Sequence, residues 1–316
     1  MHEREPATAD ATAVPKQSPG AAFASALGKK LARLPLHLII IGICILWLIP
    51  TLALFISSFR EPADISTSGW WNAIKDFDFT FSNYDTVLSQ RNMGRSFVNS
   101  LIITVPSTVL SILIAAFAAY AFAWMRFPGR NLLFLLVVAL LVVPLQMTLI
   151  PILNLYTELR VDKELPLIGG ALFGTGSFVG MWLAHTGYGL PFAVFLLRNF
   201  FGSLPKDLFE SAYLDGASDL LVFFRIVLPL SGPAIAALAI FQFLWVWNDL
   251  LVALIYLGDP DLAPMTLTIT SLVTSFGTQY QLLTAAAFVS MALPLAIFFA
   301  LQRYFVQGLL AGAVKG

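Results

Sequence analysis

Charge is scarce in this chain: 316 residues carry 18 Lys and Arg against 18 Asp and Glu, 11% in all, and the two signs cancel. A zero balance with no basic runs interleaved with aromatics removes the electrostatic case for nucleic acid. Cysteine is scarcer still. The single thiol, Cys44, sits in an apolar run and can form no intrachain disulfide, which argues against redox chemistry. The three histidines, His2, His37 and His185, lie far apart with no metal-ligand spacing, so no metal site is expected. No Ser/His/Asp or Cys/His arrangement stands out, and catalysis by this chain is not expected. The run Gly174-Thr175-Gly176-Ser177 suggests a phosphate loop, but it lacks the Gly-Lys-Ser/Thr ending and a preceding strand. With no such ending anywhere in the chain, no nucleotide site is expected in it.

What the sequence does have is apolar surface. Hydrophobic residues make up 58% of it and the mean hydropathy is +0.82, well outside the soluble range. Windows of about 20 apolar residues, the length needed to cross a hydrocarbon core of roughly 30 Å, recur at 36–57, 98–124, 131–153, 177–200, 234–257 and 284–304. Lipid offers no partner to a backbone amide, so each window is expected to be helical. An even number of spans puts both termini on one side. The prolines Pro50, Pro106, Pro144, Pro151, Pro191 and Pro294 fall in or at the ends of these windows, where kinks are tolerated if neighbours satisfy the freed carbonyls.

Residues 1–35 are rich in Ala, Pro, Ser and Lys without an apolar period, and read as a mobile polar extension. With that extension inside, twelve of the Lys and Arg fall on cytoplasmic segments and six on outer ones, which favours cytoplasmic termini. The first outer loop, about 59–97, holds Trp70, Trp71, Phe77, Phe79, Phe81 and Tyr84; such aromatics either seat at the membrane interface or receive a partner protein.

Polar character concentrates between the fourth and fifth windows, in ESAYLDGASDLLVFFRIVLP at 210–229, with Glu210, Asp215, Asp219 and Arg225. Ser203 is expected to cap a helix with Pro205 and Asp207 in its first turn, running to about Leu214. Gly216 then supplies a positive φ for a bend, and Ser218 caps a second helix that Pro229 closes. The whole element, 203–229, is a short helix, a bend and a helix leading into span five. From physics alone it reads first as an ordinary amphipathic loop on the membrane surface.

Its residues decide otherwise. Glu210, Ala212, Asp215, Gly216, Ala217, Phe223, Ile226, Leu228, Pro229 and Pro233 resemble, at matching spacing, the EAA motif of the membrane-spanning subunits of binding-protein-dependent ABC importers, with Ser211 in place of the usual first alanine. The resemblance runs from about Leu36 to Gly316. It is strongest to the maltose-type carbohydrate-uptake branch, and within that to alpha-glucoside permeases. Phe97-Val98-Asn99-Ser100, the Phe127-Pro128-Gly129 turn, Gly189-Leu190-Pro191-Phe192, Trp245-Val246-Trp247-Asn248-Asp249 and the tail from Gly308 to Gly316 carry it.

The resemblance implies an all-α integral membrane protein of the bacterial or archaeal inner membrane, with a six-span permease domain over 36–305 and a cytoplasmic tail over 306–316. It implies the type I importer permease fold, a second homologous permease, two ATP-binding cassette ATPase subunits and an extracytoplasmic sugar-binding protein as partners, with ATP and magnesium bound by the ATPases and no cofactor here. In that family the EAA element is a coupling helix, so Glu210, Ser211, Ala212, Asp215, Gly216, Ala217, Phe223 and Pro229 would contact or couple to the ATPase. Gly312, Ala313, Val314, Lys315 and Gly316 would reach it from the tail, which by composition alone is a frayed end.

Trp245, Trp247, Asn248 and Asp249 lie toward the outer end of span five. They either line the path or outer gate, or sit by the headgroups. His185 is either near the permeation route or an ordinary helix contact. The rival classes are an ATP-independent secondary transporter or channel, for which only Asp249 offers an intramembrane coupling carboxylate, and a non-transporting membrane scaffold.

Overall fold

A long first helix, α1, runs Pro19–Ser57 in the computed structural model, which describes residues 19–90, 92–164, 170–275 and 279–313. It begins well inside the stretch expected to be a mobile extension. Among 19–35 the alanines and lysines are good helix formers, and Pro19 at the first position is compatible with a helix start. Met1–Leu54 and Phe55–Gly316 are separate compact units. In the first, the side chains from Leu34 onward are almost all exposed, as expected of a helix whose solvent is lipid or another chain.

In the second unit, short helices α2 (Pro62–Thr67), α3 (Trp70–Asp76) and α4 (Ser82–Asp85) and a π-turn at Thr86–Gln90 fill the stretch between α1 and the next long helix. Then come α5 (Met93–Trp124), α6 (Arg130–Leu140), α7 (Leu145–Glu158), an antiparallel hairpin of β1 (Val161–Glu164) and β2 (Ala171–Phe173), and α8 (Phe178–Phe201). The chain continues through α9 (Lys206–Leu214), α10 (Asp219–Val222), α11 (Leu228–Leu230), α12 (Gly232–Trp247), α13 (Leu251–Tyr256), α14 (Met265–Ser275) and α15 (Tyr280–Ala313).

Among the described residues, four helical stretches are long and apolar enough to cross a membrane unbroken: Leu34–Ser57, Met93–Trp124, Phe178–Phe201 and Tyr280–Gln302. Two more are bent pairs, Arg130–Leu140 with Leu145–Glu158 at 99°, and Asp219–Leu230 with Gly232–Trp247 at 75°. Six spans result when each bent pair counts as one. The third window is therefore not the single helix that its hydropathy suggested. Pro144 lacks an amide hydrogen and takes an extended conformation (φ −62°, ψ 130°), so the chain turns there before α7 begins. The fifth window also breaks, at 248–250, between α12 and α13.

The bundle centres on α5 against α8 and on α12 against α15 and α5. Helices sheathed in lipid gain little from apolar contact and associate through close backbone approach and side-chain hydrogen bonds. The buried face of α5 shows this: Ser96, Ser100, Thr104, Ser107, Ser111, Ala115 and Ala119 recur at helical spacing. Specific bonds cross the seam. Trp182 Nε1 donates to the Ile102 carbonyl at 2.7 Å, and Gln242 Nε2 to Ser111 Oγ at 3.3 Å. At the start of α5, Asn99 Nδ2 donates to the carbonyls of Asp261 and Ala263, while Ser100 Oγ accepts from the Met265 amide. Those two side chains pin the 259–265 loop to span two, which gives a structural purpose to the Phe-Val-Asn-Ser sequence.

Candidate functional site

Past the end of α8 the chain leaves the bundle and builds an elbow. Gly202 and Ser203 turn it, and α9 starts at Lys206. Ser203 does not cap α9 as expected; its hydroxyl donates back to the Phe200 carbonyl at 2.7 Å, and the residue in the capping position is Pro205, with extended angles. Pro205 cannot enter the helix interior but is preset for the residue just outside it, and that fixes the start. Asp207 sits in the first turn, where its charge suits the helix dipole.

After Leu214 the chain reverses through Gly216, at φ +79°, a left-handed conformation that glycine adopts without cost. The Ala217 amide bonds back to the Ala212 carbonyl at 3.0 Å. Ser218 then caps α10, its hydroxyl accepting from the Leu221 amide. A π-turn at Phe223–Val227 and α11 carry the chain to Ser231, where it bends into α12. Helix, bend and helix are thus as the residue types suggested. Pro229 does not stop the second helix by itself: it lies inside α11, and the break comes at Ser231.

The expected coupling residues divide into two sets. Glu210, Ser211, Asp215 and Gly216 are exposed, and Ala212 and Ala217 are half-buried against the core beneath. Phe223 belongs to the other set. It is buried at 2%, stacked on Phe117 with ring centres 4.7 Å apart and close to Tyr120, because the π-turn directs it inward. It sits as an anchor under the elbow. Pro229 is exposed but lies beyond the π-turn.

Leu214, which the sequence reading passed over, is 89% exposed at the tip of α9, beside exposed Tyr213, Leu220 and Leu221. The signal was available: a leucine on the last turn of a short helix, two residues before a bend glycine, has no core left to reach. The elbow therefore presents an acidic flank and an apolar tip on a backbone held from below.

Toward the opposite end of α12 the expected gate residues also part. Trp247 is buried at 2%, stacked on Phe243, edge-on to Phe97, with its Nε1 donating to the Ser290 carbonyl. It binds α12 to α15 and α5 from within the bundle. Trp245, two residues earlier and so on another face, is 42% exposed. Asn248 is exposed and its Nδ2 donates to the Leu244 carbonyl at 2.7 Å, finishing α12. Asp249 starts α13: its carboxylate accepts from the amides of Val252 and Ala253, and its carbonyl accepts from Thr266 Oγ1.

His185 on α8 faces Asp249 but is buried at 1% in the bundle. The void shared by Ser100, Thr104, His185 and Asp249 is about 10 Å3, room for one water at most and far too small for a sugar.

The Gly174-Thr175-Gly176-Ser177 run is a turn. Gly174 has φ +91° and a β-carbon there would lie 2.4 Å from the Tyr156 carbonyl oxygen; Gly176 has φ +68°. Ser177 caps α8, its Oγ accepting from the Gly180 amide. Of the tail, Gly312 and Ala313 close α15, while Val314, Lys315 and Gly316 lie outside the described residues. Among the described residues no cluster of His, Cys, Asp or Glu could hold a metal ion.

A membrane bundle of this topology with such an elbow is the fold of ABC importer permeases. The chain belongs to the family of binding-protein-dependent transport system inner membrane components, which it matches over residues 111–310. It is 54% identical over 288 residues to the osmoprotective compounds uptake permease protein GgtD of Synechocystis, covering 90% of this chain and 92% of that one. It is 56% identical over 241 residues to the alpha-glucoside transport system permease protein AglG of Rhizobium meliloti, covering 75% of this chain and 61% of AglG. Among solved structures, a chain of a bacterial ABC transporter that imports the acidic polysaccharide alginate superposes with a TM-score of 0.65 at 21% identity, over 92% of this chain and all of that one.

Proposed function

We propose that this chain is a permease subunit of an ATP-driven sugar importer and that the elbow couples it to ATPase subunits. It forms the translocation path with a second, homologous permease, carries two ATP-binding cassette ATPases on the elbow side, and receives substrate from an extracytoplasmic binding protein. A di- or oligosaccharide such as an alpha-glucoside is the substrate, a reading supported by the likeness to AglG. A solved relative of the same fold is a bacterial alginate ABC transporter in complex with a periplasmic protein carrying an alginate pentasaccharide.

The observation that carries the reading is the exposed tip of α9. A leucine at 89% exposure beside Tyr213 and Leu220, with Glu210 on the flank, is a small apolar patch rimmed by charge, the usual make-up of a surface that another protein covers. The bend at Gly216 and the anchor at Phe223 make that surface rigid, so closure of the ATPases around ATP would reach α8 and α12 as rigid-body motion. Glu210 is free to meet an arginine across the interface. ATP and magnesium are held by the ATPases. The tail from Gly312 to Gly316 adds a second contact with them, and both termini lie in the cytoplasm.

Asp249 weighs against the ATP-independent alternative, since its carboxylate is engaged on the first turn of α13. Trp245 and Asn248 remain as residues that could face the path. The test is purification of the assembled complex. Glu210→Ala should release the ATPase and abolish ATP-driven uptake; retained binding with full uptake overturns the coupling assignment. Binding-protein-stimulated ATPase activity across maltose, sucrose, trehalose and glycine betaine then identifies the substrate class, and stimulation by the betaine alone would overturn the sugar.

A further inference from the structure

The elbow is held at both ends of α9 by a single helix, α5. Tyr120 and Trp124 are one turn apart on α5, and Phe209 and Tyr213 one turn apart on α9, so each pair shares a helix face. The two pairs meet as rungs. Trp124 stacks flat on Phe209, ring centres 3.6 Å apart at 16°, with its Nε1 donating to the Phe201 carbonyl at 3.0 Å. The Tyr120 and Tyr213 hydroxyls lie 3.3 Å apart. The second rung reaches across the bend: Tyr213 Oη donates to Asp219 Oδ1 at 2.7 Å, and Tyr120 Oη lies 3.4 Å from the same oxygen. Tyr213 and Asp219 flank Gly216, the one residue of the elbow whose conformation gives the reversal.

A rod fixed at one point pivots, and a push on its tip is lost in rotation. Fixed at two points it carries the push into whatever holds it. With only the Trp124 rung, α9 could swing about Phe209 and the bend could open at Gly216. The hydroxyl rung removes both freedoms, since it ties the far end of α9 to α5 and locks the residues on either side of the bend to one carboxylate oxygen.

We infer that Tyr120, Tyr213 and Asp219 form a strut that routes the movement of the elbow into span two as well as into α8 and α12. They are positioning residues: they act by holding α9 and touch no substrate. The inference rests on the coupling role proposed above and adds the element of the bundle that receives the force.

Tyr213 and Asp219 are exposed enough for water to replace a lost bond, so taking away hydroxyls should leave folding and assembly in place. The experiment uses the full importer, reconstituted with its ATPases and binding protein, carrying Tyr120→Phe, Tyr213→Phe or both. All should retain the ATPase on purification. Sugar transported per ATP hydrolysed should fall about fivefold or more in the double variant, the lower range for coupling between two sites, with less than additive losses in the singles. Stability alone would change the amount of complex without changing that ratio.

An unchanged ratio in a fully assembled double variant overturns the strut. Should the double variant fail to accumulate, the single variants, each lacking one oxygen atom, carry the same test. If instead the unmodified chain holds no ATPase, the coupling role itself fails, and the strut with it.

Discussion

Nε2 of His185 lies 3.7 Å from Oδ2 of Asp249, and neither ring nitrogen of His185 has a hydrogen-bond partner. The imidazole is buried at 1%, edge-on to Trp245 with ring centres 6.1 Å apart, while the carboxylate is turned to α13. A buried polar group left unpaired costs about 1–3 kcal/mol. His185→Met, similar in volume and free of that cost, should therefore raise the thermal midpoint of the purified protein. A fall would show that the ring is held by a partner, and would point to a role in the transport cycle.

Asp249 should respond in the opposite sense. Its two backbone acceptor bonds restart the helix after the 248–250 break, and loss of such a cap costs about 1 kcal/mol. Asp249→Ala should lower the midpoint, whereas Asp249→Asn keeps an acceptor oxygen and should restore most of the loss. Equal damage from both would mean that the charge matters, as a coupling or gating carboxylate would require.

The contrast between these two residues shows what the sequence could convey. The spans were legible because a run of apolar residues in lipid has one backbone solution, and the elbow because Gly216 and Ser218 have few local uses. The breaks at Pro144 and at 248–250 were not, since hydropathy is the same along a straight helix and a bent one. Nor could spacing reveal that Trp245 is exposed and Trp247 sealed, because the facing of a helix is set by neighbours distant in the chain. The π-turn that turns Phe223 inward has no residue signature, so its burial was not legible in the spacing. The start of α9 was misread for a narrower reason: Ser203 and Pro205 both suit a helix start, and local hydrogen bonding to Phe200 decided between them.

The bend glycine gives a purely conformational test. At φ +79° a β-carbon on Gly216 would meet nothing within 4 Å, so any cost is that of the left-handed backbone, about 1–2 kcal/mol for an ordinary residue. Gly216→Ala should weaken retention of the ATPase, and Gly216→Asn, which tolerates that conformation, should weaken it less. If alanine behaves as glycine does, the bend is not what sets the elbow.

Gly174 separates the effect of conformation from that of space. It too has positive φ, +91°, but its β-carbon would lie 2.4 Å from the Tyr156 carbonyl oxygen and 2.9 Å from the Arg160 α-carbon. Backbone atoms cannot swing aside as a side chain can. Gly174→Ala should therefore cost well over the 1–2 kcal/mol of the bend alone, and show as poor accumulation in the membrane. Asparagine should not rescue it, in contrast to Gly216. Normal yield of Gly174→Ala would mean that the hairpin between α7 and α8 shifts freely.

The tyrosine of the strut offers a titration. Burial, opposed only by its bond from Tyr120, raises the Tyr213 hydroxyl above its ordinary value of 10.0. A raised value means that the folded elbow favours the protonated form, the one that donates to Asp219. Its contribution is complete below pH 10 and lost as pH climbs through the raised value, because a phenolate beside a carboxylate repels it. Sugar transported per ATP hydrolysed by the unmodified importer should thus be flat across the neutral range and drop only in strongly alkaline buffer. Tyr213→Phe has no proton to lose and should show a shallower drop, starting from a lower coupling ratio. Parallel alkaline profiles for the two proteins would show that another group governs the loss and that Tyr213 is not under load.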